Sequence, residues 1–227
     1  MWGVRAGRRA DGRGGGVVKR PPLFAALIEP VRAGGEFATT TVLIPMMPML
    51  PQGDGHPVIV LPGFMGADGS TNRARSFLSR LGYPAYRWGL GRNLGPTAQV
   101  MTGLPRLLES TYRTHGRTVS IVGWSLGGVY ARHLAAKFPE MIRLVVTLGS
   151  PVHPEVEVAS NASALYNRLK QLHVDDIDLF VGGAPLPVPV TAVFTQSDSI
   201  VHWETCIIEE LPSYNCISIV EPVAAWV

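Results

Sequence analysis

The sequence predicts an α/β protein: a mostly parallel sheet of about six strands, helices on both faces, and a short cap insertion. Three observations predict it. Short apolar, β-branched runs alternate with stretches of helical length from Pro57 onward, the pattern of successive β-α-β units. One run, Ile142 to Leu148, is nearly continuously apolar, as a strand covered on both faces must be. Another strand passes into a helix through the glycine-rich turn Gly123-Trp-Ser-Leu-Gly-Gly128. Right-handed crossovers between parallel strands then distribute helices over both faces.

Each element has its own local reason. Pro57 to Leu61 is a short apolar run stopped by Pro62-Gly63, which suits a buried strand. Asp68 to Leu81 reads as a helix, with Asp68 and Ser70 as polar starters and Gly82 as its stop. Pro84 to Trp88 is a weaker strand. Pro96 to His115 spaces Val100, Leu104, Leu107 and Leu108 at helical intervals, and Gly116 closes it. Thr118 to Val122 is a strand, Leu126 to Phe138 a helix ended by Pro139, and Ile142 to Leu148 a strand. Val188 to Thr195 and Cys216 to Val220 are the last two strands. Residues 150–187 break the rhythm with four prolines and one candidate helix, Ala159 to Leu172. A segment inserted there forms a cap over one end of the sheet.

The 227 residues are enough for one domain. Residues 1–21 read as a disordered, basic Gly/Arg-rich tail, and 22–227 as the folded domain. The formal charge of +3 is misleading as a whole-chain number. Residues 1–20 alone carry +5, and the other 207 carry −2. The body is therefore near neutral, and no nucleic-acid partner is expected. No apolar run approaches the ~20 residues of a membrane helix. The stretch Leu23 to Ile28 is short for a secretory signal and runs into Glu29-Pro30, so a cytoplasmic location is expected. Cys206 and Cys216 form neither a disulfide framework nor a metal-ligand spacing, and free thiols are expected. No metal site is expected.

The turn at 123–127 matches G-x-S-x-G with a strand before it and a helix after it. A serine in this setting sits in a tight, strained turn that lifts its hydroxyl above the sheet. Residues two before and two after it crowd each other unless both lack side chains. Ser125 is the candidate nucleophile. An acyl-transfer site also needs donors for developing negative charge. The backbone N–H of Leu126 is one candidate. The N–H of Phe64, in the loop Leu61-Pro-Gly-Phe-Met-Gly66, is the other. The acid belongs on a loop after a later strand, and Asp198 lies just past Val188–Thr195. Asp175, Asp176 and Asp178 read instead as a solvated cluster inside the cap.

These residues give the chain a resemblance to the α/β-hydrolase fold family, in particular its bacterial esterase- and lipase-like members. The resemblance rests on Val60-Leu-Pro-Gly-Phe64, Gly123-Trp-Ser-Leu-Gly-Gly128, Thr147-Leu-Gly-Ser-Pro151 and Ser197-Asp-Ser-Ile-Val201. The segment Gly89 to Pro96 also looks like the loop such proteins carry before the nucleophile strand. It implies a Ser, Asp, His triad, no cofactor, and hydrolysis of carboxylic esters through an acyl-serine intermediate.

The family's general base sits after the last strand, and here only Glu221 to Val227 follows, with no histidine. A truncated or frame-altered C-terminus is the expectation that follows. Six histidines remain. His56 lies at the wrong end of the first strand, His115 ends a surface helix, and His133 is too far along the helix after Ser125. His173 is expected to be exposed in the cap, and His153 borders the pocket. His202, four residues beyond Asp198, is the candidate base if its loop folds back.

The substrate class expected is a small ester of an apolar acyl group, given Phe64, Met65 and Trp124 around the turn and the methionines at 46, 47 and 49. Two alternatives stay open. The same serine supports acyl transfer to an alcohol or amine, and the histidine question keeps a non-catalytic binder of an apolar ligand or partner in view.

Overall fold

A computed structural model describes residues 50–152, 163–174, 179, 185–196, 198, 201, 203–208 and 216–221. Among these residues six strands form one parallel sheet in the order β2-β1-β3-β4-β5-β6. They are β1 (Val58–Leu61), β2 (Ala85–Arg87), β3 (Val119–Trp124), β4 (Ile142–Leu148), β5 (Val190–Thr195) and β6 (Cys216–Glu221). Among the described residues the helices are α1 (Asn72–Arg80), α2 (Ala98–His115), α3 (Leu126–Lys137) and the short α4 (Ser163–Arg168). The predicted class and strand count are those observed.

The chain first moves outward from β1 to β2, then crosses back over β1 to β3 and continues to β4, β5 and β6. Right-handed crossovers place α1 on one face and α2 and α3 on the other. The order therefore reverses between β1 and β3, and the crevice at the carboxyl ends of such a strand pair is where open α/β sheets bind ligands.

Burial follows the apolar pattern. All four residues of β1 are buried, as are Val119 and Ile121 of β3 and Val145 of β4. Each such side chain contributes about 1.5–3 kcal/mol relative to leaving it exposed. α3 is buried from Leu126 through Ala135, which is why it carries so little polar face. α2 is amphipathic, burying Val100, Leu104 and Leu108. The Thr97 hydroxyl accepts from the Val100 N–H at 3.3 Å to cap its start, and Gly116 closes it at φ 59°. Only glycine takes that left-handed cap without cost.

Some boundaries differ from the sequence prediction. α1 begins at Asn72, not Asp68, because the polar starters bond elsewhere. The Asp68 carboxylate accepts from the Gly89 N–H, and the Ser70 hydroxyl donates to the Ala67 carbonyl. β3 extends two residues beyond Val122, since Gly123 and Trp124 still pair with Thr147 and Leu148. β5 begins at Val190, after Pro187 and Pro189. The cap helix is α4 followed by a 3-10 turn at Lys170–Leu172, and residues 159–162 of its predicted span lie outside the described residues. The same holds for the tail at 1–21, the methionine-rich stretch before residue 50, and Asp175, Asp176 and Asp178.

Candidate active site

Ser125 joins β3 to α3 with φ 50° and ψ −120°. Among the described residues only Met65, at φ 63°, shares a positive φ without being glycine. A side chain held in that region costs of order 1–3 kcal/mol, which the surroundings must offset. They do so through hydrogen bonds: the Ser125 N–H donates to the Leu148 carbonyl at 2.8 Å, and the Gly128 N–H to the Ser125 carbonyl at 2.9 Å.

The glycines around Ser125 have separate steric causes. A Cβ on Gly123 would lie 2.5 Å from the Gly127 carbonyl carbon and from Gly128 Cα. One on Gly127 would lie 2.5 Å from the Leu61 carbonyl oxygen, where β1 ends. The sequence anticipates that residues 123 and 127 crowd each other; this holds for Gly123, whereas Gly127 makes room for the end of β1 instead. Gly128 is different. A Cβ there would collide with the Ser150 hydroxyl and lie 2.6 Å from Ser150 Cβ. Ser150 is buried at the end of β4, its hydroxyl facing the carbonyls of Gly123 and Leu148 at 3.4 and 3.3 Å.

The loop after β1 lies against this turn. The ideal Cβ position of Gly63 is 3.3 Å from Ser125 Cβ and 3.4 Å from the Trp124 carbonyl oxygen, so the backbone passes close to the serine. Phe64 follows, then Met65 in its left-handed conformation. Among the described residues, neither the Phe64 N–H nor the Leu126 N–H has a hydrogen-bond acceptor. Asn93, 0% exposed, fastens the loop from behind. Its Nδ2 donates to the Pro62 carbonyl at 2.9 Å, its carbonyl accepts from the Met65 N–H at 2.7 Å, and its N–H donates to the Gly66 carbonyl at 2.8 Å.

Asp198 stands beyond the end of β5, with Oδ1 accepting from the Val201 N–H at 2.9 Å. β4 alone separates β5 from β3, so strand spacing sets the acid and the serine about 10 Å apart laterally. The residue between them is Gly149, at φ 52°, whose ideal Cβ position lies 3.1 Å from Asp198 Oδ2. The buried Cys206 thiol lies close enough to respond to this carboxylate. Burial raises its pKa most, and the Asp198 charge raises it further.

Ser125, Leu126, Phe64 and Asp198 thus come together at the carboxyl ends of β1, β3 and β5. His202 and His153 lie outside the described residues. Of the other histidines, His56 is buried at the opposite end of the sheet, as expected. His115 pairs with the Tyr86 hydroxyl at 2.7 Å. His133 is buried in α3. His173 corrects the expectation of an exposed cap residue: it is half-buried, with Nε2 2.9 Å from the Leu94 carbonyl. Its ring lies 4.7 Å from that of Tyr166, which in turn meets the Phe64 ring edge-on at 5.4 Å. The cap is therefore joined through aromatic contacts to the loop beside Ser125, a long-range packing that no local pattern reveals.

No group of three or more metal-ligating side chains occurs among the described residues. None of their helices is long and apolar enough to cross a membrane.

Residues 98–199 match the family described as "Putative esterase". No curated protein sequence matches the chain. Among solved structures, a soluble variant of monoglyceride lipase from Saccharomyces cerevisiae, in complex with a substrate analog, is similar at TM-score 0.53 and 15% identity. That match covers 75% of this chain and 80% of the other. An α/β hydrolase enzyme from the sediment metagenome of the Mar Chica lagoon, Morocco, aligns at TM-score 0.52 and 18% identity, covering 76% and 82%. The monoacylglycerol lipase of Paleococcus ferrophilus aligns at 0.52 and 15%, covering 75% and 86%. With its parallel sheet and reversed strand order the chain has the α/β-hydrolase fold, and the segment 98–199 within it is similar to an esterase family.

Proposed function

We propose that this protein is a serine hydrolase that cleaves carboxylic esters of apolar acyl groups. The observation that carries the reading is the strained conformation of Ser125 between a strand and a helix, with Leu126 next in the chain and the Gly63 backbone, just before Phe64, passing close to it. A strained residue with nearby donors that have no acceptor among the described residues is a poor choice for stability and a good one for acyl transfer.

In this reading the Ser125 hydroxyl attacks the ester carbonyl carbon while its proton passes to His202. The carbonyl oxygen, now an oxyanion, accepts hydrogen bonds from the N–H groups of Phe64 and Leu126. Collapse breaks the bond to the alcohol oxygen, which takes the proton from the imidazolium and leaves. Water then attacks the acyl-serine by the same route, releasing the acid. Asp198 orients the imidazole and balances its charge. His202 takes the base role as the histidine that follows Asp198 in sequence. No cofactor or metal enters these steps.

The apolar preference is supported by the side chains around the turn: Phe64 packed on Tyr166, Met65 next to it in the loop, and Trp124 next to Ser125 with its ring against Gly63. Two similar structures are lipases of monoacylglycerols by name, so those esters join p-nitrophenyl esters as first substrates.

A fluorophosphonate probe and p-nitrophenyl butyrate test the proposal on the full chain. Wild-type protein is expected to be labelled at Ser125 and to hydrolyse the ester, and Ser125→Ala to lose both. His202→Ala is expected to lower turnover by about 10⁴-fold or more, as loss of one triad member does. Folded wild-type protein that is neither labelled nor active would overturn the hydrolase reading. A fully active His202→Ala would overturn the assigned base.

A further inference from the structure

We propose that Asn93 is the positioning residue of the oxyanion donor Phe64, an inference that rests on Ser125 being the nucleophile. The five residues from Pro62 to Gly66 carry that donor, and Asn93 bonds to the loop on both sides of it. Its Nδ2 donates to the Pro62 carbonyl, its backbone carbonyl accepts from the Met65 N–H, and its backbone N–H donates to the Gly66 carbonyl. Phe64 is thereby fixed through its neighbours while its own N–H stays available for a substrate oxygen. The one further hydrogen bond within the loop, Gly66 N–H to the Gly63 carbonyl at 3.0 Å, does not fix its direction relative to Ser125.

The Asn93 side chain is itself held. Its Oδ1 accepts from the Gly95 N–H and from the Tyr130 hydroxyl, both at 3.2 Å. Tyr130 is buried in α3, the helix that begins beside Ser125. The hydrogen bonds therefore run from the helix of the nucleophile, through one amide, to the loop of the oxyanion donor. That connection fixes the distance between the two halves of the site. Asparagine is the side chain that suits it, since the position needs a donor toward Pro62 and an acceptor for two donors at short reach. A carboxylate would keep the acceptor and turn a negative oxygen toward the Pro62 carbonyl. An oxyanion site works only if its donors are preorganised, so loosening Phe64 should cost the tetrahedral state more than the ground state.

The test compares wild type, Asn93→Asp, Asn93→Ala and Tyr130→Phe in the full chain. For each we would measure kcat and KM on p-nitrophenyl butyrate and the inhibition constant of butylboronic acid, whose boron bonds to the serine oxygen as a tetrahedral adduct. Thermal melts would establish the folded fraction. Asn93→Ala and Asn93→Asp are expected to lower kcat about 100-fold with KM within about twofold, and to weaken the boronate in parallel. Tyr130→Phe should show a smaller loss in the same sense, because it removes one of two donors to Oδ1. A structural role alone would scale kcat with the folded fraction and leave boronate affinity of the folded molecules unchanged, and that outcome would overturn the proposal. Should either Asn93 variant fail to fold, Tyr130→Phe decides by the same ratio. A folded wild type that neither turns over ester nor binds boronate would remove the hydrolase reading and this inference with it. An active wild type with indifferent variants would remove this inference alone.

Discussion

The His56 imidazole bridges Asp54 and Ser120, with Nδ1 2.5 Å from the Asp54 Oδ1 and Nε2 2.7 Å from the Ser120 hydroxyl. An acid, a histidine and a serine in hydrogen-bonded line are the components of a nucleophile relay, yet here they stand at the amino end of the sheet. Ser120 lies within β3, paired with Val58 and Leu144, just after a register shift between Val119 and Ser120. It is 3% exposed, and its N–H is already spent on the Pro57 carbonyl at 2.9 Å. With no strained turn and no access, the chain of three acts as a latch holding the segment before β1 against β3.

The latch should therefore contribute stability and no chemistry. Ser120→Ala is expected to leave fluorophosphonate labelling at Ser125 intact while lowering unfolding free energy by about 1–3 kcal/mol, because a buried imidazole nitrogen loses its partner. Urea melts and peptide mapping of the probe would check both. Probe attached to Ser120 would refute the assignment.

Acid should open the same latch. The hydrogen bond from the His56 ring holds the Asp54 carboxyl well below the usual range, helped by the His56 backbone N–H and the charge of Arg143. Arg117 also reaches it, at 3.3 Å. A folded pKa below the unfolded one gives stability that is present above about pH 4 and lost as pH falls through the folded value. Asp54→Asn should flatten the fall in urea midpoint between pH 4 and pH 2 and lower the midpoint at pH 7. An unchanged acid slope would show that another carboxylate governs it.

Cys206 should be inert while the protein is folded. Burial and the Asp198 charge raise its pKa, so little thiolate forms near neutral pH. Iodoacetamide at pH 8 is expected to spare Cys206 in native protein and to modify it in denaturant, as mass mapping would record. Rapid native modification at this residue would contradict its placement.

Gly128 and Ser150 should be energetically coupled. Gly128→Ala drives a methyl group into Ser150 and is expected to cost about 1–3 kcal/mol, as overpacking does. Ser150→Gly should recover part of that loss in the double variant, and a double-mutant cycle in urea would measure the coupling. Strict additivity would mean the clash is relieved elsewhere.

The sheet and its order of elements were legible because they are written locally. β-branched runs, helical spacing and stop residues lie within a dozen positions of one another. The placement of Ser125 and Asp198 at the carboxyl ends of β3 and β5 was legible for the same reason: each stands in a short motif at the end of a strand. Asn93 was not, although it lies in the Gly89–Pro96 segment already noted, because its partners at Pro62, Gly95 and Tyr130 come together only in three dimensions. The burial of His173 and the pairing of Gly128 with Ser150 escaped for that reason too. His56 was correctly set apart from the end of the sheet that carries Ser125, but its bond to Ser120, 64 positions away, left no local trace.

In the proposed reaction the two oxyanion donors beside Ser125 belong to the main chain, and this shapes what a survey of point variants would reveal. Trimming Phe64 or Leu126 to alanine leaves each N–H in place, so the groups closest to the reacting oxygen would pass such a survey almost silently. The positions that protest would be those that dictate where the backbone runs: Gly63, Gly123, Gly127, Gly149 and Asn93. A functional map of this protein, drawn from sequence variation alone, would outline the proposed reaction centre chiefly as a contour of forbidden side chains.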